Sequence, residues 1–274
     1  MLMSDMKRSA FLRARRPEHK QQRREAILDA ARELARASGV RNVSLGAVAE
    51  AVGLAKSNIV RYFGTREEIY LQLMVDEWRQ WADDVSAHLA ASAATSAATS
   101  TSAAAATSGS TPATDSATAS GSTPATDSAT ASGDQDVSGQ DRTAHVVAAL
   151  AETIVDRPLL CDLLGNVYIS LEHNASVPAA RTFKRAIVST SAEMGAEVAR
   201  AAGLTEREGL ELVSFASVLA GTLYPIANPA PALAQVYAED PELAAACPQM
   251  LPTLVRALTA LAVGLPALRD RPAG

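Results

Sequence analysis

Residues 44–63 read SLGAVAEAVGLAKSNIVRYF, a pattern that predicts two short helices joined by a tight turn. Ser44 is a typical N-cap residue, because its hydroxyl can accept a hydrogen bond from a free N–H of the first helical turn. The apolar residues that follow recur at helical spacing and form one buried stripe: Leu45, Val48, Ala49 and Val52. Gly53 stands where helices commonly end with a residue of positive φ, and the chain restarts at Ala55.

The second helix of this pair has an apolar face and a polar face. Its inward stripe consists of Ile59, Tyr62 and Phe63. The outer face carries four polar side chains: Lys56, Ser57, Asn58 and Arg61. Side chains of these types donate to phosphates and to base edges. The pattern is typical of a DNA-reading helix-turn-helix, and equally of an ordinary helical hairpin with a polar surface.

The flanking sequence favours the DNA-reading interpretation. The upstream helix ends at Gly39 and has these apolar residues on one face: Ile27, Ala30, Ala31 and Leu34. Downstream, Thr65 is the predicted N-cap of a further helix, with Glu68 as its capping-box partner. Residues 23–70 thus contain a helix ending in Gly, the turn V-A-E-A-V-G-L, a helix closing on Y-F, and Thr-Arg-Glu-Glu. In this order they resemble the DNA-binding domain of the TetR family of transcriptional regulators.

The resemblance implies a homodimer that reads a palindromic double-stranded operator with the polar face of the second helix. It also implies positioning contacts to DNA from Ser44, Tyr62, Thr65 and Arg66. Two positions depart from the family pattern. Ala55 stands where a capping Ser is common, and Val60 stands where a Tyr that contacts phosphate is common. Loss of such a cap costs roughly 1 kcal/mol, which neighbouring packing can offset.

Composition predicts an all-α chain with two domains. The 274 residues are 48% apolar and only 4% aromatic. The chain is therefore long enough for one large core or two modest ones. It is rich in Ala and Leu and shows few of the alternations that indicate strands. The expected architecture is an N-terminal three-helix DNA-binding domain followed by a helical-bundle domain for ligand binding and dimerisation.

Charge is distributed unevenly between the two ends of the chain. Residues 1–66 carry 14 Lys and Arg against 6 Asp and Glu, a net charge of +8. Since the whole chain has a net charge of −5, the remaining residues carry −13. A basic head on an acidic body predicts that DNA binds at one end only. A basic arm is expected to reach phosphates or the minor groove through Arg13, Arg15, Arg16, Lys20, Arg23 and Arg24.

We predict five segments from changes in composition and periodicity. They are a disordered basic arm (1–18), a helix-turn-helix domain (19–66), a connecting helix four (67–90), a flexible low-complexity insertion (91–140) and a helical regulatory and dimerisation domain (141–270). The insertion contains SGSTPATDSATA twice, at residues 108–119 and 120–131, and Val137 is its one large apolar residue. Such a composition cannot build a core, although its Ala-rich start can extend helix four.

Apolar periodicity places further helices in the body at residues 143–156, 159–173, 179–202, 205–227, 241–247 and 251–268, with a break at 228–232. The family resemblance implies a pocket for a small-molecule effector within these helices and helix four. The candidates are polar or aromatic residues on apolar faces: Trp81, Asn166, Tyr168, His173, Phe183, Thr222 and Tyr224. For each of them a core position is the favoured alternative, as it is for the Trp78 and Trp81 pair. Because these helices carry few charges, the expected effector is largely apolar, neutral or weakly polar.

Other functional classes lack their residues in this sequence. No metalloprotease, hydrolase or nucleotide-binding motif occurs, so we expect no enzyme, no metal and no cofactor. Glu172 and His173 are adjacent on a helix, where their side chains point apart. Cys161 and Cys247 are predicted to be buried free thiols in a reducing cytoplasm. The N-terminus lacks a signal peptide, and the longest apolar run, 258–268, is too short to span a bilayer.

Two functions remain open from the sequence. The first is a sequence-specific transcriptional repressor in the cytoplasm, released from its operator by a small molecule. The second is a basic-headed interaction protein that binds nucleic acid without sequence preference and whose helical body only dimerises. Binding of a selected operator in competition with random DNA distinguishes the two.

Overall fold

Helices account for all the regular structure in the described parts of the chain, as the composition predicts. The computed structural model describes the backbone of residues 2–107 and 130–269 and the side chains of residues 18–94 and 139–269. In order, the helices are α1 (Leu2–Ser38), α2 (Leu45–Ala51), α3 (Lys56–Ile59), α4 (Arg66–Thr107), α5 (Thr130–Val155), α6 (Pro158–Asn166), α7 (Val177–Ala202), α8 (Glu206–Ala227), α9 (Pro231–Glu239), α10 (Pro241–Ala245) and α11 (Met250–Gly264). Short 3₁₀ turns follow α1 and α11, at Val40–Asn42 and Leu265–Leu268, and a π turn, Val167–Leu171, follows α6.

The head, formed by α1 to α3 and the start of α4, contains the turn that the sequence predicts. The Ser44 hydroxyl accepts from the N–H of Ala47 at 3.1 Å. Gly53 has a φ of 64°, a conformation that side chains with a Cβ rarely adopt. After it, the N–H of Leu54 donates to the carbonyl of Ala49 at 2.8 Å. The predicted N-cap and glycine turn are both confirmed.

The ends of the long helices differ from the sequence-based boundaries. α1 extends back to Leu2, over the residues assigned to a disordered arm. α4 continues to Thr107 instead of ending near residue 90, which fits the high helix propensity of its Ala-rich second half. α5 begins at Thr130, inside the segment predicted to be a flexible insertion. Most of the tandem repeat, residues 108–129, lies outside the described residues.

The core runs continuously from the head into the body along α4. The large apolar residues that recur at helical spacing along this helix are buried: Ile69, Leu73, Val75, Trp78, Trp81, Val85 and Leu89. The rings of Trp78 and Trp81 form an edge-to-face pair with centroids 5.2 Å apart. The indole N–H of Trp81 donates to the Thr153 hydroxyl on α5 at 3.0 Å. The interpretation of these two residues as core packing is confirmed.

Glycines allow α8 to approach α6 and α7 closely. A Cβ on Gly209 of α8 would collide with the carbonyl oxygen of Gly195 on α7 and would lie 2.8 Å from the Cβ of Ala199. On α6, a Cβ at Gly165 would lie 2.9 Å from the carbonyl oxygen of Gly221. Since interiors are close-packed, even one methyl group is too large at these crossings. Helix α8 therefore packs closely against both α6 and α7.

The start of α8 is held against the end of α11 by a charged pair. Thr205 and Glu208 form a capping box, and Glu208 also accepts two hydrogen bonds from the Arg269 guanidinium at 2.7 and 2.6 Å. The contact joins the beginning of α8 to the residue just after the turn that follows α11, so the two helices run antiparallel. The bonds from Arg269 hold the pKa of Glu208 down to about 2.

This pair predicts a pH dependence of stability. Because the folded pKa lies below the ordinary value of 4.5, the native state binds fewer protons than the unfolded state does between these values. The stabilisation is therefore complete above pH 4.5 and is lost as the pH falls towards 2. Urea unfolding of wild type and Glu208→Gln should show a difference in unfolding free energy that shrinks over this range. A difference that does not change with pH would contradict this assignment.

Three features of the body differ from the sequence-based predictions. The helix predicted at residues 159–173 is divided into α6 and the π turn Val167–Leu171. Helix α9 was missed, because Pro229 and Pro231 indicated a break. Cys161 is buried as expected, but Cys247 is only half-buried.

The apolar run at 258–268 is too short to span a bilayer, but it belongs to one of two longer helical segments that are apolar enough to cross one. By length and composition, α8 and residues Pro241–Leu268 both qualify. In α8 the apolar side chains include a buried stripe: Leu212, Val213, Ala216 and Ala220. Such a stripe is typical of a core helix in a water-soluble protein.

Candidate nucleic-acid interface

Helix α3 presents its polar side chains to solvent. The four residues predicted to read DNA are all exposed: Lys56, Ser57, Asn58 and Arg61. On the opposite face Ile59 and Phe63 are buried in the core of the head. Ala55 is the N-cap and makes no side-chain cap hydrogen bond, as its departure from the family pattern implies.

Helix α3 is shorter than the sequence predicts. Regular α-helix covers only Lys56–Ile59, and the chain then tightens into turns. The N–H of Arg61 donates to the carbonyl of Asn58 at 3.3 Å, and that of Tyr62 donates to the carbonyl of Ile59 at 2.8 Å. These three-residue steps keep Ile59 and Phe63 in the core and Arg61 at the surface.

Basic residues of α1 lie beside α3. Lys20 and Arg23 line a shallow cleft of about 470 Å³ together with Asn58, Arg61 and Tyr62. Lys20 and Arg23 are among the basic residues predicted from the sequence to reach DNA. The structure places both of them next to the polar face of α3. Arg13, Arg15 and Arg16, of the predicted N-terminal basic segment, have side chains that lie outside the described residues.

The predicted positioning residues Ser44, Thr65 and Tyr62 lie at helix ends around this surface. Ser44 is exposed at the start of α2. Thr65 caps α4, where its hydroxyl accepts from the N–H of Glu68 at 3.2 Å. The side chain of Tyr62 is half-buried. Glu68 departs from the predicted capping box, because its carboxylate accepts from the N–H of Gly64 at 2.8 Å instead of from that of Thr65.

Arg66 was predicted to contact phosphate, but its guanidinium is engaged inside the protein. Its Nε donates to the carbonyl of Val43 at 2.5 Å, and a terminal nitrogen donates to the carbonyl of Val40. A second terminal nitrogen pairs with Glu67 at 3.2 Å. The guanidinium also lies over the ring of Tyr70, 4.7 Å from its centroid. Arg66 therefore joins the turns of the head to α4.

Arg24 was likewise predicted to reach DNA and instead supports the end of α3. It donates to the carbonyl of Tyr62 at 2.9 Å, and it stacks over the ring of Phe63 at 3.9 Å from the centroid. Burial lowers the pKa of this guanidinium. The sequence alone could not distinguish Arg24 from its exposed neighbour Arg23.

Three polar contacts join the head to the body. The N–H of Val40 donates to the Asp162 carboxylate of α6 at 2.6 Å. The N–H of Ser176, just before α7, donates to Glu68 at 3.2 Å. In the third contact, the buried carboxylate of Glu77 lies between two arginines, Arg32 of α1 at 3.7 Å and Arg157 of the α5–α6 junction at 3.5 Å. These contacts connect α6 and the start of α7 to the head.

The candidate effector residues do not gather around one cavity. Trp81 and Phe183 are core residues, and Asn166 is buried with its amide donating to Asp162. Tyr224 is half-buried, and burial raises its pKa. The others are exposed: Tyr168, His173 and Thr222.

Two clefts at the boundary between head and body include members of this set. One of about 340 Å³ is bordered by Asn166, Asp162 and Arg66. The other, of about 530 Å³, is bordered by Phe183, Arg24 and Arg79.

The inner face of α4 carries two polar atoms that sequence reasoning did not single out as unsatisfied. In the part of the chain whose side chains are described, the Tyr70 hydroxyl and the Trp78 indole N–H are buried without a hydrogen-bond partner. Burial raises the pKa of Tyr70 to about 12, so its hydroxyl stays protonated at neutral pH. Tyr70 and Trp78 are eight positions apart, which puts both atoms on one face of the helix.

Comparison with known proteins assigns both halves of the chain. The family model "Bacterial regulatory proteins, tetR family" matches residues 27–73, and "Tetracyclin repressor-like, C-terminal domain" matches residues 122–269. A search of curated proteins gave no match.

Two solved structures are similar to the chain over most of its length. One is the fatty acid degradation regulator FadR from Bacillus halodurans, at 12% identity and a TM-score of 0.43, with 88% of this chain and 97% of that one covered. The other is a transcriptional regulator of the TetR/AcrR family from Thermobifida fusca YX-ER1, at 17% identity and a TM-score of 0.40, with 92% and 100% covered.

Proposed function

Since the chain belongs to the TetR family of transcriptional regulators, whose members bind DNA, we propose that it reads a palindromic operator through α3. In this proposal Lys56, Ser57, Asn58 and Arg61 enter the major groove of each half-site. The observation that carries the proposal is the exposed polar face of α3 beside the exposed cations of α1. Ser44, Tyr62 and Thr65 provide positioning contacts, and the regulator acts in the cytoplasm.

A homodimer follows from the palindromic operator and is supported by an exposed apolar surface. On α8, Phe215, Val218 and Ile226 are exposed along one side, and on α11 Val263 is 64% exposed. Contiguous apolar side chains of this size mark interaction sites more often than free surface. Pairing of this face about a two-fold axis sets the distance between the two heads. Helix-turn-helix dimers read half-sites about one helical turn, roughly 34–36 Å, or a multiple apart.

We further infer that the protein is a repressor released by a small molecule that binds in the body. The unpaired hydroxyl of Tyr70 and indole N–H of Trp78 support a ligand that accepts hydrogen bonds beside apolar surface. The contacts of Asp162 and Glu68 with Val40 and Ser176 supply the connection between body and head. Such a ligand releases DNA only if it binds the released conformer more tightly than the DNA-bound one.

Thermal-shift screening of varied small molecules, followed by operator release with each hit, tests the repressor proposal. We expect hits that raise the melting temperature also to lower operator affinity. A Tyr70→Phe variant removes the unpaired hydroxyl with little change in volume and should weaken binding of the hit. Stabilising ligands that never change DNA affinity would contradict the induction mechanism and leave DNA binding unaffected.

We expect substitutions in α3 and α1 to have different effects on DNA binding. Arg61→Ala should reduce the difference in binding free energy between correct and incorrect bases, at the base pairs that Arg61 contacts, by about 1–3 kcal/mol. Lys20→Ala should weaken binding evenly across sequences and reduce the salt dependence, because a phosphate contact carries no sequence information. Competition between a selected operator and variant sites at a stated salt concentration measures both effects.

Arg36→Ala is the matched control for these two substitutions. Arg36 pairs with Glu33 at 3.1 Å and is exposed near the end of α1, close to the contact of Val40 with the body. Its loss should leave DNA binding unchanged. If Arg61→Ala, like Lys20→Ala, reduced affinity for operator and random DNA in the same proportion, the head would be a non-specific nucleic-acid-binding module.

A further inference from the structure

The connection between α8 and α11 lacks a packing partner within the described residues. It consists of residues 228–249 and contains α9 and α10, and we call it the arm. None of the residues of α9 or α10 is buried, whereas α4, α6, α7, α8 and α11 each contribute to the core. The two short helices pack mainly against each other.

The arm nevertheless has the composition of a packed element. Leu233 and Val236 lie on one side of α9 and are 44% and 41% exposed, and Leu243 of α10 is 48% exposed. Helices of nine and five residues are marginal in water by themselves, because the cost of nucleation is spread over few hydrogen bonds. Helices this short normally depend on burial of an apolar side, and this protomer does not provide it in the part described.

The position of the arm indicates what covers it. Because Glu208 at the start of α8 binds Arg269 beyond α11, the arm lies at the opposite end of the α8–α11 pair. Ile226, one residue before the end of α8, continues the exposed apolar side of that helix into the arm. The surface proposed to form the homodimer therefore reaches the end of α8 at which the arm begins.

Charge complementarity also favours a second copy of the chain as the occupant. The arm carries three acidic side chains, Glu239, Asp240 and Glu242, and no Lys or Arg. On α11, Arg256 is exposed two helical turns before Val263, on the same side of the helix. It forms no ion pair with any residue whose side chain is described. An acidic arm excludes DNA as the occupant, because phosphates repel it.

We propose that in the homodimer the arm of each protomer packs its apolar side, Leu233, Val236 and Leu243, onto the α8–α11 face of the partner, beside Arg256. The arrangement is reciprocal, as a two-fold axis requires. This inference rests on the homodimer proposed above and extends its interface from two helices to the arm. The arm then becomes ordered by assembly, so its local stability depends on protein concentration.

Sedimentation of the full chain with two matched double variants tests the arm. Leu233→Asp with Val236→Asp places charges on the apolar side of α9, and Gln235→Asp with Ala238→Asp places the same charges on its opposite side. We expect the first pair to raise the dimer dissociation constant at least tenfold and the second to change it less than threefold. Circular dichroism checks that both retain the helix content of the rest of the chain, and the first pair should lose at most the helix of the arm, since no side chain of α9 is buried in the protomer.

Hydrogen exchange of the wild-type protein provides a test without substitution. Amides of residues 231–246 should be protected above the dimer dissociation constant and should exchange rapidly below it. Protection that is independent of concentration would mean that the arm packs on its own protomer, and this would overturn the inference. Absence of protection at any concentration would overturn it too.

The outcomes also separate this inference from the homodimer itself. If the wild-type protein remained monomeric at micromolar concentration, both the homodimer and the role of the arm would be contradicted. The double variant Phe215→Asp with Val218→Asp should dissociate the dimer in either case. If it does so while the arm variants leave the dimer intact, the arm is not part of the interface and only this inference is wrong.

Discussion

Replacing Gly209 with alanine should lower the free energy of unfolding by about 3 kcal/mol, the upper part of the range for an overpacked core. The added Cβ collides with the Gly195 carbonyl oxygen and lies 2.8 and 2.9 Å from the Cβ and N of Ala199. All three are backbone or Cβ atoms, so no flexible side chain can move aside, and α7 and α8 must separate. The gain in helix propensity from Gly to Ala, roughly 1 kcal/mol, is too small to compensate.

Gly264→Ala is the matched control. Gly264 is helical at the end of α11, and a Cβ there would meet no described atom within 4 Å. Its replacement should leave stability unchanged or raise it by a few tenths of a kcal/mol, because alanine has the higher helix propensity. Denaturant unfolding of both variants gives the comparison. Equal stabilities would contradict the close crossing of α7 and α8.

Replacing Arg157 with methionine should destabilise the fold by about 3–5 kcal/mol, the cost of leaving a buried carboxylate without its partner. Arg157 lies 3.5 Å from Glu77, which is 3% exposed, and also donates to Asp84 and Gln80 at 2.8 and 3.1 Å. After the substitution Glu77 retains only Arg32, at 3.7 Å.

Adding Glu77→Gln to Arg157→Met should restore much of the lost stability, because a neutral amide costs less to bury than an unpaired charge. Arg36→Met removes an exposed pair with Glu33 and should cost less than about 1 kcal/mol. Urea unfolding of the four proteins completes the comparison. If Glu77→Gln made the Arg157→Met variant still less stable, the loss would come from packing and not from the buried charge.

Local sequence signals predicted several helix caps and inner faces, although the ends of α1, α3, α4 and α5 differ from the prediction. The hydroxyls of Ser44 and Thr205 cap the N-termini of α2 and α8, and Gly53 has the positive φ that its turn requires. The apolar stripe of α4 is buried along its length. These features depend on interactions between residues a few positions apart, and such interactions can be derived from one sequence.

Features that depend on distant parts of the chain could not be derived in this way. Arg66 and Arg24 carry the same charge as the exposed Arg61, but they donate to backbone carbonyls whose positions follow only from the folded head. The crossing of Gly195 and Gly209 joins helices whose relative orientation the sequence does not state. Proline marked the region of α9 as a break, although Pro231 is at the first position of that helix, where it is well tolerated.

The central claim is that the head reads DNA sequence through α3. Selection from a random DNA library, followed by affinity measurements at about 150 mM salt for the selected operator and for random DNA, tests it most directly. We predict a palindromic operator bound at least about 10³-fold more tightly than random DNA, the lower end of the range for specific regulators. Equal affinities for the two would contradict the claim.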